Sequence, residues 1–396
     1  MKKYLIVLVT LFAGLGLAFG QGLTVWTTWR DLTLEWFQNE TAAFTEAFGV
    51  PVEIVRVDFA QAQPDWLLSA PAGEAGDLLV GVPHDRIGEL AAAGVAANMT
   101  SFATADFLKD LSEQARVGFT IGGKLFALPM YVEGPALIVN ADLVPEAPAT
   151  YEELLAVAQE LTSGDSFGFM YDSANFYFSY NWLHTFGGFV FGRDAQGDLD
   201  PAELGLANEG AIRGGEAIKA LRHELGLIPA GTDYPTVTGL FSEGALAMTY
   251  NGPWEIENFR NAGITNLKVM PIPPLADGTP FSGFMGVQGV VLNPFSKNRA
   301  DAANFTKWLA RPAAQVSLAQ LSGRIPASGS ALAQVNDDPV IAGFGQALLN
   351  AEPMPNIPEM GSVWGPMGTA LTVILESADS DVAGSLTQAA SEILGN

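Results

Sequence analysis

The order of apolar patterns near the N-terminal end restricts the fold more than any other feature of this sequence. Residues 23–29 are rich in β-branched and aromatic side chains, residues 52–57 alternate apolar and polar, and residues 77–82 are mostly apolar, which predicts three strands. Residues 34–48 place aromatic side chains at helical spacing, and residues 84–92 also have a helical pattern. This alternation predicts an α/β fold in which a parallel sheet carries helices on both faces.

The same alternation continues along the rest of the chain. We expect a helix from Thr150, where Glu153 completes a capping box, and a helical turn that opens at Pro253. From residue 301 onward the pattern is mostly helical. The further predicted strands are parts of residues 125–139, and residues 167–171, 246–250, 267–272 and 287–292.

The first residues indicate the compartment. Lys2 and Lys3 precede an uncharged, mostly apolar run that ends at Phe19, and small residues at positions 18 and 20 suit cleavage by a signal peptidase. We therefore expect residues 1–20 to be a signal peptide and the mature protein to be soluble and exported, in a periplasmic or other extracytoplasmic location. A membrane anchor is the alternative, but the run is short for spanning a bilayer.

The charge and the cysteine content argue against several classes of function. Asp and Glu total 43 against 19 Lys and Arg, and the net charge of −24 would be repelled by phosphate backbones, so we expect no nucleic-acid partner. Cysteine is absent from the sequence, which removes disulfides, thiol catalysis, thiolate metal sites and a lipid-anchor cysteine. With only three histidines, we expect neither a metal site nor a cofactor.

Sharp catalytic motifs are also missing from the sequence. It contains no Gly-x-Ser-x-Gly nucleophile elbow, no Gly-x-x-x-x-Gly-Lys-Ser/Thr phosphate loop and no His-Glu-x-x-His zinc helix. We therefore expect a protein that is not an enzyme and has no catalytic residues. Paired carboxylates for glycoside hydrolysis stay open as an alternative, with Glu133, Asp85 and Asp172 as the candidates.

Aromatic residues stand out at the ends of the predicted elements. Trp29 closes a strand, and Tyr177 lies at the start of a predicted helix. Trp254 follows a Gly-Pro turn, and Trp364 follows two prolines. Ligands of α/β folds bind at the carboxyl ends of strands, and a sugar offers an apolar ring face to aromatic side chains and hydroxyls to polar ones. Core packing explains the same residues equally well, so this pattern alone leaves both interpretations open.

Longer motifs are spread across the mature chain. They are residues 84–86 (HDR), 123–140 (GKLFALPMYVEGPALIVN), 149–153 (ATYEE), 241–254 (FSEGALAMTYNGPW) and 354–360 (MPNIPEM) followed by Trp364. These motifs resemble those of the maltose/maltodextrin-binding proteins, which are extracellular solute-binding proteins and the sugar receptors of ATP-driven importers. The resemblance covers essentially the whole mature chain, and residues 241–254 and 354–364 resemble the maltodextrin group in particular.

The resemblance implies a two-lobe periplasmic-binding-protein fold, in which each lobe is a mostly parallel sheet flanked by helices. It implies several hinge crossovers, which we place near Tyr131, Val287 and Pro326. The implied partners of a monomeric receptor are maltose, maltodextrin or a related glucoside, and the membrane permease of an ABC importer. The implied lobes are residues 21–131 plus 287–330 for the N-terminal lobe and 132–286 plus 331–396 for the C-terminal lobe.

The resemblance also implies binding residues of three kinds. Acidic and basic ones would bind sugar hydroxyls, aromatic ones would stack on sugar rings, and a methionine would line the groove. For Asp85 and Arg86, the structural alternative is an ion pair or a helix cap. For the tryptophans, it is core packing. The residues are, in the same order, Asp85, Arg86 and Glu133; Tyr177, Trp254 and Trp364; and Met354.

The sequence departs from the family pattern at several positions, so maltose, maltodextrin, trehalose and another glucoside all stay open as ligands. Val82 stands where the family has a tryptophan, which removes one stacking face, and Gly365 stands where the family has a tyrosine. Trp29 stands where the family has a small residue, and our hypothesis is that it replaces the face lost at Val82. Two polar departures complete the predicted site: Asn175 in place of an acidic residue, and Arg30-Asp31 as a pair in reversed order.

Overall fold

The computed structural model describes residues 22–395 of the chain. The predicted signal peptide, residues 1–20, lies outside these residues, and so does the alternative of a membrane anchor there. Within residues 22–395, no helix is both long and apolar enough to cross a bilayer.

The strands are short, and most lie where the sequence pattern predicts them. One difference is that the last long strand begins three residues earlier than predicted. The strands are β1 (Leu23–Thr27), β2 (Val52–Arg56), β3 (Leu78–Pro83), β4 (Thr120–Ile121), β5 (Lys124–Leu125), β6 (Leu128–Glu133), β7 (Ala136–Asn140), β8 (Phe167–Met170), β9 (Phe189–Arg193), β10 (Leu199–Gly205), β11 (Leu246–Asn251), β12 (Leu267–Met270), β13 (Phe284–Leu292), β14 (Ile325–Pro326) and β15 (Glu352–Pro353).

Helices connect the strands and make up most of the C-terminal part, as predicted. They are α1 (Asp31–Phe48), α2 (Ala62–Ala72), α3 (Ile87–Ala92), α4 (Ala105–Asp110), α5 (Glu113–Gly118), α6 (Tyr151–Leu161), α7 (Phe176–Thr185), α8 (Glu209–His223), α9 (Tyr234–Ser242), α10 (Ile256–Asn261), α11 (Arg299–Ala310), α12 (Pro312–Ser322), α13 (Gly329–Val335), α14 (Pro339–Leu348), α15 (Trp364–Ile374) and α16 (Val382–Ile393). Short 3-10 segments cover His84–Arg86, Pro253–Glu255 and Pro358–Ser362.

The first main sheet is 7-stranded and has the order β14-β6-β13-β3-β1-β2, with β15 beside β13. The predicted parallel pairing is confirmed for β1 with β2 and for β1 with β3. In contrast, β13 is antiparallel to both β3 and β6. It enters this sheet from β12 of the other main sheet rather than through a β-α-β crossover, so the rule that makes such strands parallel does not apply to it.

The second main sheet is 4-stranded and has the order β12-β7-β11-β8. β11 is parallel to β8, whereas β7 is antiparallel to both β11 and β12. A stacked pair of rings, Tyr171 and Trp182, lies in the core beside this sheet, with the ring centroids 4.3 Å apart. Helices flank both main sheets, and the α/β prediction is confirmed. The expectation of a mostly parallel sheet is wrong for this second sheet, because two of its three strand pairs are antiparallel. β7 follows β6 after two residues rather than through a helical crossover, so the rule that makes strands parallel does not apply to it.

The chain passes between the two main sheets at the predicted crossovers. β6 belongs to the first sheet, and only two residues separate it from β7 in the second. Tyr131 on β6 pairs with Pro326 on β14, and Val132 pairs with Val287 on β13, so the three predicted crossover positions are neighbours. Their hinge role and the exact lobe boundaries stay predictions.

Local sequence signals set the starts of two helical segments, α6 and the 3-10 turn at Pro253. The side chain of Thr150 accepts a hydrogen bond from the backbone N–H of Glu153 at 3.1 Å, as expected for a capping box. The return bond differs by one residue, because Glu153 Oε2 accepts from the N–H of Ala149 at 2.8 Å rather than from that of Thr150. Pro253 opens the predicted helical turn, which is a 3-10 segment.

A glycine in α14 allows this helix to lie directly against β12. A Cβ atom added at Gly343 would lie 2.1 Å from the backbone oxygen of Val269, a distance that real Cβ contacts do not reach. A Cβ atom at Gly345, on another face of the same helix, would meet nothing within 4 Å. The contact between α14 and β12 therefore depends on one particular glycine.

Gly343→Ala is expected to lower the free energy of unfolding by about 1–3 kcal/mol, because the added methyl group forces α14 away from the sheet. Gly345→Ala is the matched control and is expected to raise it by about 0.5–1 kcal/mol, because alanine is the better helix former. Urea unfolding followed by circular dichroism measures both values. Equal effects of the two substitutions would contradict this packing.

Candidate functional site

A large cavity, called the cleft from here on, lies where strands of both main sheets end. Its volume is about 1440 Å³, which is above the range of about 300–1,000 Å³ that is usual for small-molecule pockets. The cleft therefore has room for an extended ligand. All the binding residues predicted from the sequence line it: Trp29, Arg30, Asp31, Asp85, Arg86, Glu133, Asn175, Tyr177, Trp254, Met354 and Trp364.

The carboxyl ends of strands bring most of these side chains together, as α/β architecture predicts. Trp29 follows β1, and Asp85 follows β3. Glu133 is the last residue of β6, while Trp254 comes from the 3-10 turn after β11. Trp364 begins α15. The chain therefore reaches the cleft from several elements that are distant in sequence.

Two cleft-lining residues that the sequence analysis missed hold the carboxylate of Glu133 in the cleft wall. Arg324 Nη1 lies 2.6 Å from Glu133 Oε2, and Gln288 Nε2 donates to Glu133 Oε1 at 2.8 Å. The guanidinium carbon of Arg324 also lies 5.4 Å from the ring centroid of Tyr131 and 6.0 Å from that of Trp254. The position of Arg324 two residues before Pro326, at a predicted crossover, was the one signal in the sequence that pointed to it.

The carboxyl group of Asp85 is buried beside the cleft, and its pKa is raised. Burial raises the pKa of its carboxyl from 3.8 to about 6, because the ionised form loses water. The neighbouring charge of Arg86 and the side chain of Trp364 act against this shift. A carboxylate in this setting gains much from any hydroxyl that comes within hydrogen-bonding distance.

Three buried polar atoms of cleft-lining residues have no hydrogen-bond partner in the structure. They are Asp85 Oδ1, Gln288 Oε1 and Arg324 Nε. Buried polar atoms are normally paired, so unpaired ones call for a partner such as a ligand or a water. The three residues line the same cavity, and their unpaired atoms are two acceptors and one donor. This combination suits a ligand with several hydroxyl groups, since a hydroxyl both donates and accepts.

The aromatic residues each pack on one side and border the cleft on another. Trp254 Nε1 donates to the hydroxyl of Tyr234 at 2.7 Å, and this hydroxyl donates to Glu255 Oε1 at 2.6 Å. The ring of Tyr177 lies 6.2 Å from that of Trp254. Trp364 packs edge-on against Phe176 at 5.7 Å. Core packing and cleft lining are therefore not alternatives for these rings, because each does both.

Trp29 differs from the other aromatic residues of the predicted site. Its side chain is only 5% exposed, and its indole N–H donates to the hydroxyl of Tyr131 at 3.0 Å. Its ring packs edge-on against Trp36 and Phe37. Such burial leaves little ring surface for a ligand, which speaks against the hypothesis that Trp29 replaces the stacking face lost at Val82.

The remaining polar residues of the predicted site are engaged in local contacts. Arg86 Nη1 donates to the backbone oxygen of Phe59 at 2.7 Å, and Arg30 Nη2 lies 3.8 Å from Asp58 Oδ2. Asn175 caps α7, because its side-chain oxygen accepts from the N–H of Tyr177. These contacts hold the cleft's edges in place and leave fewer donors and acceptors for a ligand than the sequence suggested.

Asp31 has a backbone conformation that favours glycine. Its φ angle is +50°, and no other non-glycine residue within 22–395 has a positive φ. The strain lies at the first residue of α1, where the chain turns from β1 into the cleft wall.

His84 connects the cleft wall to the strand at the predicted hinge. Its Nε2 lies 2.9 Å from the backbone oxygen of Met354, and its Nδ1 accepts from the N–H of Val287 at 3.0 Å. Burial lowers its pKa from 6.5 to about 4, so the ring is neutral near pH 7. The neutral ring with its proton on Nε2 satisfies both contacts.

A family model for bacterial extracellular solute-binding proteins matches residues 41–343. The chain belongs to this family. A galactooligosaccharide-binding protein of Bacillus subtilis is 32% identical to this solute-binding protein and covers 90% of it and 86% of its own length. A maltotriose-binding protein of Pyrococcus abyssi is 31% identical, with coverages of 94% and 82%.

Solved structures agree with this assignment over nearly the whole described chain. The Thermus thermophilus maltotriose-binding protein bound with maltotriose has a TM-score of 0.89 and 42% identity, covering 94% of this solute-binding protein and 98% of that chain. A cyclo/maltodextrin-binding protein complexed with maltotetraose has a TM-score of 0.82 and 32% identity, with coverages of 96% and 98%. The predicted family and its two-lobe α/β fold are confirmed.

Asp85→Asn is expected to raise the free energy of unfolding near pH 7 by about 3 kcal/mol, because it removes a charge that is costly to bury. The raised pKa of Asp85 determines the pH range in which this difference appears. The stability that the protonated carboxyl contributes to the wild-type protein is complete below pH 3.8 and is lost as the pH rises through about 6.

Urea unfolding of both proteins at several pH values measures this difference. It is expected to shrink as the pH falls and to approach zero below about pH 3, where Asp85 is protonated in both the folded and the unfolded wild-type protein. Asp337→Asn, at an exposed aspartate outside the cleft, is the control and should change little. A difference that does not vary with pH would contradict the raised pKa.

Proposed function

We propose that this solute-binding protein is an extracytoplasmic receptor that binds a maltooligosaccharide in the cleft and delivers it to an ABC importer. The observation that carries the proposal is the composition of the cleft. It combines partly exposed aromatic rings, namely Tyr177, Trp254 and Trp364, with lining residues that have unpaired buried polar atoms. A glucan chain offers the matching surfaces, an apolar face on each ring and hydroxyls at each rim.

The names of the relatives support the same class of ligand. The solved structure with 42% identity holds maltotriose, and another with 32% identity holds maltotetraose. The Bacillus subtilis relative is named for galactooligosaccharides, so other oligosaccharides belong in any binding test. The greater identity to a maltotriose complex favours α-linked glucose units over this second candidate.

The proposed mechanism is closure of two lobes around the sugar, without covalent chemistry. Ligand contacts from both sides of the cleft would favour the closed form, and the crossovers near Tyr131, Val287 and Pro326 would absorb the motion. A retaining or inverting glycosidase needs two available carboxyl groups. Glu133 is occupied on both oxygens and Asp172 does not line the cleft, which argues against hydrolysis.

The proposed location and partners follow from the family and the sequence. The family is extracellular, and residues 1–20 have the pattern of a signal peptide. We propose export, action as a monomer, and docking of the closed form on a membrane permease.

A binding panel tests the proposed function. Thermal unfolding is measured with maltose, maltotriose, trehalose, sucrose, a cyclodextrin and a galactooligosaccharide, since a ligand of the native state raises the melting temperature. We expect the largest increase from a maltooligosaccharide and no release of reducing sugar over hours. No increase with any sugar would contradict the proposal, and sugar release would favour a hydrolase.

Trp254→Ala is expected to weaken maltotriose binding by about tenfold while leaving the fold intact, because the sugar loses an aromatic face. Trp308→Ala is the matched control, since Trp308 is also partly buried but does not line the cleft. Isothermal titration calorimetry measures both. Unchanged affinity in Trp254→Ala would show that this ring is not a sugar platform.

Arg324→Met is expected to weaken maltotriose binding by about 10- to 100-fold, because Glu133 loses its charged partner and the cleft loses a donor. Arg311→Met is the matched control. Arg311 also pairs with a carboxylate, Glu40 at 2.8 Å, and stacks on Trp308 at 3.6 Å, but it lies outside the cleft. Titration calorimetry that finds the same loss in both variants would contradict a specific role for Arg324.

A further inference from the structure

Phe59 is an aromatic residue of the cleft that neither the sequence motifs nor the proposed function uses. It lies between β2 and α2 and lines the cleft. Its side chain is 46% exposed. Among the aromatic residues that line the cleft within 22–395, Phe59 alone is exposed rather than half-buried or buried.

Arg86 holds Phe59 in place. Its Nη1 donates to the backbone oxygen of Phe59 at 2.7 Å, and its guanidinium carbon lies 4.2 Å from the centroid of the Phe59 ring. The neighbouring Asp58 faces Arg30 at 3.8 Å. The protein therefore supports one face of the Phe59 ring. Because the ring is already held, a ligand that stacks on it loses less free energy to side-chain ordering.

The surroundings of Phe59 combine apolar and polar side chains. Pro64 and Leu67 of α2 continue the apolar wall, and both line the cleft. Polar groups lie close by, because Gln63 Nε2 donates to Glu89 Oε2 at 2.5 Å and both of these residues also line the cleft. An apolar wall with a polar rim suits the two kinds of surface on a sugar ring.

Phe59 belongs to the N-terminal part of the chain, as does Val82, where the family has a stacking tryptophan. Val82 is buried and does not line the cleft. Trp29 is too buried to replace the missing face. Within residues 22–133, Phe59 is the one cleft-lining aromatic residue that is exposed.

We propose that Phe59, supported by Arg86, is the platform of an additional subsite at the edge of the cleft, which takes one further ring of a linear oligosaccharide. This inference rests on the proposed function. The subsite binds a sugar ring beyond those that Tyr177, Trp254 and Trp364 serve, and the volume of about 1440 Å³ gives room for such a chain. With this subsite, the affinity of the protein depends on the length of the oligosaccharide.

Titration calorimetry with maltotriose, maltopentaose and maltoheptaose tests the subsite. In the wild-type protein, affinity is expected to rise with chain length. Phe59→Ala is expected to reduce the affinity ratio of the longest to the shortest sugar by about three- to tenfold, the value of one aromatic contact. Phe59→Trp keeps an aromatic face and is expected to keep the ratio.

Phe295→Ala is the matched control, because Phe295 is 49% exposed and does not line the cleft. It is expected to keep the wild-type ratio. A wild-type affinity that is independent of chain length, or a Phe59→Ala ratio equal to the wild-type ratio, would overturn the subsite and leave the receptor function standing. Failure of the wild-type protein to bind any of the three sugars would overturn the receptor function and the subsite together.

Discussion

The ion pair between Glu133 and Arg324 determines the arrangement of the cleft. It joins the end of β6, just before the chain crosses into the second sheet, to the segment before β14, where a later crossover lies. Both side chains are largely buried, and a buried charge is tolerated only with a partner. The pair therefore restrains the two segments and, through Arg324, lies close to the rings of Tyr131 and Trp254.

Around this pair, the cleft contains polar groups that the protein itself leaves unsatisfied. Asp85, Gln288 and Arg324 each have a buried atom without a partner, and the raised pKa of Asp85 shows what burial costs its charge. Buried polar atoms without a protein partner cost free energy unless a ligand or a water pairs with them. In the proposed mechanism, a ligand with hydroxyl groups recovers that free energy when it binds, and this gain favours closure of the lobes.

The sequence predicted what local patterns determine. The β1–β3 strands, the capping box at Thr150 and the turn at Pro253 follow from short-range spacing. Trp254 and Trp364 were found because they occur at the ends of predicted elements and in or beside family motifs. Arg324 was not found, because its role depends on a contact with Glu133, 191 residues away. Phe59 lies in a turn without periodicity, so only the fold shows that it borders the cleft. The antiparallel β13 was missed for the same reason, since its neighbours are set by a crossover between sheets.

The most direct test of a sugar-binding cleft is a crystal structure of the protein with maltotriose. The account predicts glucosyl rings on the faces of Trp254 and Trp364, with sugar hydroxyls within about 3 Å of Asp85 Oδ1 and Arg324 Nε. A maltotriose molecule bound elsewhere, or one that leaves both tryptophans and both of these atoms without contact, would contradict it.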